Sequence, residues 1–460
     1  MKRHRMLPLL AFILIQGVVL TDVLLHDPYT AYDAQEHVRY AATLSTFKLP
    51  SPEDSAEFFA PPLPYVVPAV LRATGLVSDW WMAKSGQLMN FVYSIGLCLC
   101  IMAVCKLTLP DFVSLQFWSL GLLAIVPVYF RTFSMMRGEP LLSFLVAASV
   151  YLTLKAYRAS TRRWWDFVWL GGLLGLAMLS RQLAFFMFPA IAVFAVLLPA
   201  SSLMGRLLNL KPLVLSFAVA AAVGGWFYLG LHERYGHVTA FNRPFNPWSL
   251  SQRSARFYFS LGLDHLFTDP IRPVFEGEFF PSFYSEFWGD YRCYFVVYGK
   301  DSRYGFYWSG PALEDLVARD PPPDWLKTNR FRIAPWIGCA QAVAIFPSAL
   351  FAIGLAMGTT TLFRRRGGDR AAGLLALVTL STMLGYLWFL LSLQNPTAGA
   401  GIKASYLLDV LPLVAILGAR SLLLLRDRSP MMYRVLACML ALSAMFNMPL
   451  LFTRYVVFPW

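Results

Sequence analysis

Charge is scarce in this chain. Of its 460 residues only 14% are Asp, Glu, Lys or Arg, while 57% are apolar, against about 25% and roughly 45–50% in an ordinary soluble domain. That excludes a soluble fold. Glycine and proline, thirty of each, fall well short of the roughly 25–30% that marks low-complexity or collagen-like chains, and disorder is excluded with them. The six cysteines, Cys98, Cys100, Cys105, Cys293, Cys339 and Cys438, are too few and too scattered for a disulfide framework, and no CxxC pair with a distant partner points to zinc. Most lie in apolar runs, where cysteine packs as a small hydrophobe. A net charge of +13 raises nucleic acid as a partner. In a chain this apolar, however, the location of the positive charges matters more than their sum.

A helix needs about 20 mainly apolar residues to cross the hydrocarbon core. Eleven such stretches are legible, near 7–25, 84–105, 112–130, 140–156, 165–180, 183–201, 213–231, 336–358, 371–393, 405–425 and 432–452. The expected fold is therefore an all-α polytopic membrane protein with about eleven transmembrane helices and two outer-face loop regions carrying short helices. Lys2, Arg3 and Arg5 precede the first stretch, and no small-residue cleavage site follows it before Asp22 and Asp27, so it reads as a signal anchor. With the amino terminus inside, basic residues fall in five consecutive inner loops: Lys106; Lys155, Arg158, Arg162 and Arg163; Arg206 and Lys211; Arg364, Arg365, Arg366 and Arg370; Arg426, Arg428 and Arg434. This is the positive-inside pattern, and it accounts for the basic clusters without nucleic acid. Three parts follow: an N-terminal transmembrane module over 1–231 with a first outer loop at 26–83, a long aromatic-rich outer loop at 232–335, and C-terminal transmembrane helices over 336–460. The polar mass lies outside, and so must the chemistry.

The first outer segment has no helix breaker between Pro28 and Pro50, which predicts a short helix from about Thr30 to Thr46. On it Asp33, Glu36, His37 and Tyr40 fall at i, i+3, i+4 and i+7, on one face. Two acids and an imidazole there are able to deprotonate a hydroxyl. The competing reading is structural, because Thr30-x-x-Asp33 matches a capping box. Next comes Glu57-Phe-Phe-Ala-Pro61-Pro62-Leu63-Pro64-Tyr65-Val-Val-Pro68, too short and proline-rich to span; it fits an interfacial or re-entrant element beside a lipid-chain groove.

Single cations mark the outer ends of several helices: Arg131, Arg137 ahead of Glu139, Arg181 within Leu179-Ser-Arg-Gln-Leu, and Lys403. Cations there run against the inside bias and imply anionic partners. A guanidinium fork matches phosphate oxygens, although Arg137 has Glu139 close by as a salt-bridge partner. The long outer loop carries Ser285-Glu286-Phe287-Trp288-Gly289-Asp290-Tyr291. Aromatics beside acids suit sugar binding, and equally suit a membrane-interface belt. Turns such as Pro321-Pro-Pro323 suggest an irregular loop with short helices.

Together these motifs resemble the GT-C superfamily of membrane glycosyltransferases, in the bacterial branch that includes dolichyl-phosphate-mannose mannosyltransferase relatives and the aminoarabinose transferase of lipid A. Asp33 and His37 keep that family's Asp-to-His spacing after the first helix, with Ala34 where a second acid is usual and Glu36 two residues later. Pro61-Pro62-Leu63-Pro64-Tyr65 is similar to its Pro-Pro-Leu-Tyr stretch, with Ala60 where some members have a cation. Leu179-Ser-Arg181-Gln, the Phe-Trp-Gly-Asp-Tyr run and the Lys403–Pro412 stretch also resemble it. The resemblance implies inverting transfer of one sugar from a polyprenyl-phosphate donor to a lipid, glycan or protein hydroxyl at the outer face, in a bacterial inner membrane with a periplasmic site. Asp33 or Glu36 would be the base, and His37, Tyr40, Tyr65, Arg137, Arg181, Glu286, Asp290 and Lys403 would bind substrate. No cofactor is required by it, no metal ligand set is assigned, and a divalent cation is left open because relatives differ. Membrane lipids are the other expected partners. The alternatives are a lipid-linked oligosaccharide polymerase or ligase, and a lipid or sugar transporter, against which the absence of an evident internal repeat counts.

Overall fold

The computed structural model describes residues 2–29, 31–109, 111–159, 161, 163–198, 202–239, 241, 249–272, 274–292, 295, 324–363, 369–392 and 401–452. Thr30, Arg162, Cys293, the Pro321–Pro323 turn and the Arg364–Arg366 cluster lie outside the described residues. Every element among the described residues is helical. Helix α1 (Lys2–Leu25) leads into an excursion that contains α2 (Ala34–Leu44), a 3-10 turn (Leu63–Tyr65) and α3 (Val66–Ala73). The long α4 (Asp79–Lys106) returns, followed by α5 (Phe112–Ala124), α6 (Pro127–Phe133), α7 (Glu139–Arg158) and α8 (Trp164–Met178). A 3-10 turn (Gln182–Phe186), α9 (Met187–Leu197), α10 (Leu203–Leu208) and α11 (Lys211–Tyr235) complete the first half. The second excursion holds α12 (Ala255–Phe259), α13 (Leu263–Leu266) and α14 (Phe279–Trp288), and the chain ends in α15 (Asp324–Val343), α16 (Ile345–Phe363), α17 (Arg370–Ser392), α18 (Leu411–Arg428) and α19 (Pro430–Leu451).

This is an integral, multi-pass membrane protein. All eleven apolar stretches are helical, but among the described residues only seven helices are by themselves long and apolar enough to cross a membrane, or eight if one bent pair is a single span. The reasons for the lower number are local. Helix α8 has 15 residues and so reaches about 22 Å at 1.5 Å per residue, less than the roughly 30 Å of hydrocarbon. The 183–201 stretch divides into the 3-10 turn and the 11 residues of α9. Helix α18 carries Arg420, Arg426, Asp427 and Arg428. The 112–130 stretch is broken by 74° between α5 and α6, where Pro127 supplies no N–H and its ring crowds the preceding turn.

Between apolar helices in lipid, close packing replaces the hydrophobic effect as the force of association. The contact of α8 with α11 shows this. A Cβ on Gly171 would lie 2.4 Å from the Ser216 carbonyl oxygen, and one on Gly224 would lie 2.8 Å from that of Gly175, so these glycines let the two backbones touch. The last carbonyls of α1 are satisfied from α4: buried Lys84 donates from Nζ to the carbonyls of Val23 (2.7 Å) and His26 (2.6 Å), a cation at the negative end of the helix dipole. That contact anchors the start of the first excursion.

A buried cation ties the second excursion to the bundle. Arg131, brought across the bundle by the bend before α6, donates to the carbonyls of Glu286 and Gly289 and pairs with the carboxylates of Glu286 (3.2 Å) and Asp290 (3.3 Å). All three side chains are at most 1% exposed.

Candidate active site

The ends of α1, α6, α8 and α17, together with the start of α18, gather polar groups at one end of the bundle around a cavity of about 430 Å³. One wall is charged, formed by Asp33, Glu57, Arg181 and Lys403; the other is apolar, with Phe185, Phe186, Phe241, Trp388 and Phe389 among its residues. A cavity lined by both charged and aromatic side chains suits an amphiphile with an anionic head.

Asp33 occupies the N-cap position of α2 with φ 55°, in the left-handed region, and its side chain makes no capping bond. The capping-box reading is thereby corrected. Asp is among the few non-glycine residues that enter this region readily, at about 1–2 kcal/mol. The conformation turns the carboxylate away from the helix. Its Oδ2 meets Lys403 Nζ at 2.7 Å and its side chain is 46% exposed, onto the cavity. Lys403 is fixed through its backbone, whose N–H donates to Tyr386 Oη (2.9 Å) while Tyr386 donates back to its carbonyl (3.1 Å). Its ammonium lies 5.0 Å from the Tyr32 ring centroid and 5.8 Å from that of Tyr406, favourable cation–π distances. Lys403 holds Asp33 well below the usual carboxylate range, against the opposing effect of burial. Burial is the largest single effect on Lys403 and works against its charge, but Asp33 and Tyr406 together hold the ammonium above its ordinary range.

A second group forms around Glu139. Arg137 donates to it from Nε (3.1 Å) and Nη2 (2.8 Å), and Arg181 Nη2 lies 2.5 Å from the same Oε1. Gly138 permits this approach, since a Cβ there would come within 2.6 Å of the Ser180 carbonyl oxygen. The other Arg181 amino group, Nη1, stands 3.7 Å from Glu57 Oε2. The proline-rich segment is pinned beside this turn: Leu63 N–H donates to the Leu179 carbonyl (3.0 Å) and Gln182 to that of Phe59 (3.2 Å). Arg137 Nη1 is buried without a hydrogen-bond partner among the described residues. A phosphate could take donors from this arginine pair with Glu139 holding both forks in place.

The sequence-predicted residues thus divide. Asp33, Arg181 and Lys403 line the cavity, and Arg137 stands behind them. His37, Tyr40 and Tyr65 are buried supports: Tyr65 Oη and His37 Nδ1 are 2.7 Å apart, Tyr40 donates to the Ala60 carbonyl (2.8 Å), and the two tyrosine rings lie 4.4 Å apart. Burial pushes the His37 imidazolium down to about 3, so the ring is neutral near pH 7. Glu36 is absent from the cavity lining and is engaged elsewhere, with Arg39 (2.8 Å) and the N–H of Ala56 (2.6 Å). Glu286 and Asp290 are consumed by Arg131, which corrects their assignment to substrate. The second acid at the cavity is Glu57, which the helix-face pattern missed; its one signal was a lone acid just ahead of the proline run.

Among the described residues no three His, Cys, Asp or Glu side chains converge as a ligand set, and the position beside the Asp33 carboxylate is filled by an ammonium.

Residues 64–226 match the family model described as dolichyl-phosphate-mannose-protein mannosyltransferase. No curated protein matches the chain by sequence. Among solved structures, the Archaeoglobus fulgidus oligosaccharyltransferase in complex with Zn and sulfate aligns at 14% identity and a TM-score of 0.50, over 97% of this chain and 53% of that one. The same protein tethered with an acceptor peptide containing the NVT sequon gives 14% and 0.51, over 97% and 55%. The chain therefore spans about half the length of that oligosaccharyltransferase. Apo ArnT from Cupriavidus metallidurans aligns at 13% and 0.41, over 92% of this chain and 79% of that one. The GT-C resemblance read from the motifs is borne out, and identities this low speak to the fold alone.

Proposed function

We propose that this GT-C-fold chain is an inverting glycosyltransferase that moves a single sugar from a polyprenyl-phosphate donor to a hydroxyl acceptor at the outer face of the membrane. The observation that carries this reading is the cavity, where a carboxylate held by Lys403 through one oxygen and an arginine held by Glu139 share one chamber with a cluster of aromatic side chains. A volume of about 430 Å³ lies toward the small end of ligand pockets, about 300–1,000 Å³. That supports one sugar with its phosphate over an oligosaccharide.

Asp33 is the base in this scheme. Lys403 engages Oδ2 and keeps the carboxylate ionised, and Oδ1 has no protein partner among the described residues. The acceptor oxygen attacks the anomeric carbon in line, its proton passes to Asp33, and the carbon–oxygen bond to phosphate breaks. Negative charge grows on the departing phosphate. Arg181, with Arg137 sharing Glu139 behind it, is the group suited to stabilise that charge more in the transition state than in the ground state. The aromatic side chains of the cavity would face the first part of the polyprenyl chain, so the donor head reaches polar groups while its tail stays in an apolar medium. The positive-inside loops support a periplasmic or lumenal face for this end of the bundle.

Purified protein in liposomes, supplied with labelled polyprenyl-phosphate monosaccharides and an alcohol acceptor, tests the reading. Transfer with inverted anomeric configuration is expected, lost in Asp33→Asn. Transfer only from oligosaccharide donors would support a polymerase or ligase, and movement of intact donor across the bilayer would support a transporter; either result would remove the present reading.

A further inference from the structure

Arg181 uses its two amino groups unequally. Nη2 is bound to Glu139 at 2.5 Å, whereas Nη1 faces Glu57 at 3.7 Å, beyond hydrogen-bonding distance. Glu57 lines the cavity and is only 9% exposed. Its backbone is fixed by Ser55 Oγ, which accepts from the Glu57 N–H (3.0 Å), and by the Ala60 N–H on its carbonyl (2.7 Å). An acid is thus held where the open side of an anion-binding guanidinium meets the cavity.

An arriving phosphate diester carries one negative charge and no dissociable proton. Seated on Arg181 Nη1, it would meet the Glu57 carboxylate across the same cation, with Asp33 on the same wall. Like charges at that separation in a site this buried repel strongly. Resting on the reading that this cavity takes a phosphate-linked lipid, we propose that Glu57 is a stand-in anion displaced from Arg181 by the donor phosphate, and that donor docking takes up one proton, onto Glu57. The proton comes from water. Neutral Glu57 then no longer repels the phosphate and gains an O–H that can donate to it.

The other charged groups facing Glu57 do not exchange protons near neutrality. Asp33 is held ionised by Lys403, and Arg137, Arg181 and Lys403 stay charged. Tyr40 and Tyr65 are pushed up by burial and stay neutral. Burial lifts the Glu57 carboxyl to about 7, against the pull of Arg181, Lys403 and Arg137. Among the described groups lining the cavity it is the one poised to change charge; burial also lifts Asp409, near Glu139, to about 7 and Glu286, beside Arg131, to about 8, but neither lines the cavity.

The test is calorimetric titration of the full chain in nanodiscs with the methyl diester of polyprenyl phosphate, whose single charge does not titrate near neutrality. Paired buffers of different ionisation enthalpy count the protons. For the wild type, close to one proton taken up near pH 8 is expected, with affinity falling about tenfold per pH unit above about pH 7. Glu57→Gln should bind without proton exchange and with a flat pH profile; Glu57→Asp, which keeps a titrating group, should retain uptake. Binding by the wild type without proton exchange, or uptake that persists in Glu57→Gln, overturns the coupling alone. No binding of the diester at any pH overturns the coupling and the functional reading together.

Discussion

Replacing Arg181 isolates the anion seat from the fold. The side chain is 11% exposed, with Nη2 on Glu139 and Nη1 near Glu57. In Arg181→Ala, Glu139 keeps both of its contacts to Arg137, at 2.8 Å and 3.1 Å, and Glu57, which loses the cation 3.7 Å away, has a carboxyl that burial already lifts to about 7 and that can take up a proton instead. The fold should therefore survive. What disappears is a charge-assisted fork to phosphate, and hydrogen bonds to charged groups contribute about 1.5–3 kcal/mol. At about 1.4 kcal/mol per factor of ten, that is roughly a 10- to 150-fold loss of turnover. The loss should fall on kcat as well as KM, because phosphate charge increases as the glycosidic bond breaks. Arg181→Lys restores the charge without the planar fork and should recover only part of the rate. Donor-dependent kinetics in liposomes, run beside thermal unfolding of each variant, make the comparison. Unchanged kinetics in the alanine variant, or a drop in stability with turnover of the folded fraction intact, would refute the reasoning and leave Arg181 as a structural ion pair.

Asp33→Asn should lower turnover by at least about a hundredfold, the usual scale for a lost general base, whereas Glu36→Gln should stay near wild type because Glu36 bonds Arg39 and Ala56; the reverse order in the same transfer assay would move the base to Glu36. Lys403→Ala removes the cation that depresses Asp33, so Asp33 becomes protonated at higher pH and the acid limb of the rate profile should shift upward, which a profile unmoved by the substitution would contradict. Because an ammonium fills the cation position at Asp33, chelation of divalent ions should leave wild-type turnover unchanged; a loss restored by added Mn²⁺ would count against this. Arg131→Ala leaves Glu286 and Asp290 buried without their cation and should cost about 3–5 kcal/mol of stability, read as a lowered unfolding temperature; an unaltered melt would show that the second excursion is held by other contacts. Cysteines introduced at Asp264 and Asp427 should react with an impermeant reagent in intact cells only at Asp264, and the opposite labelling would invert the orientation.

The bundle was legible because its signal is local. Twenty apolar residues in a row announce a helix whatever surrounds them, and all eleven stretches became helical. The number that span by themselves was less legible, since Pro127 and the 3-10 turn after Arg181 break apolar runs without changing their composition. At the site, cations at helix ends were readable as out of place, and Arg137, Arg181 and Lys403 do converge. The Arg137–Glu139 pair was readable from two positions apart, but which acids Arg181 and Lys403 would meet was not. Asp33 and Lys403 are 370 positions apart, and Arg131 finds Glu286 and Asp290 more than 150 residues later; no spacing rule reaches that far. The one-face pattern on α2 misled for a physical reason. It assumes that Asp33 is helical, whereas its left-handed backbone lies outside the helix and points its carboxylate elsewhere than Glu36.

The acids therefore sort by what cancels them. Glu139, Glu286 and Asp290 each lie within ion-pairing distance of a buried arginine and are absent from the cavity lining, and such carboxylates hold positions. Asp33 and Glu57 differ, because each has a cation beside it yet borders open space. One is pressed toward permanent ionisation by an ammonium in contact, and the other is lifted by burial and by Asp33 nearby, which Arg181 at 3.7 Å only partly offsets. Two carboxyls in one chamber with opposed protonation tendencies are the arrangement by which a single site handles two proton positions at one pH. The cations differ in reach as well, at 2.7 Å from one acid and 3.7 Å from the other. The positioning of Arg181 by Glu139, through the close approach that Gly138 allows, is what sets the second distance. A side chain at Gly138 would collide with the Ser180 carbonyl, displace that turn, and change the charge state of the cavity without altering any ionisable residue.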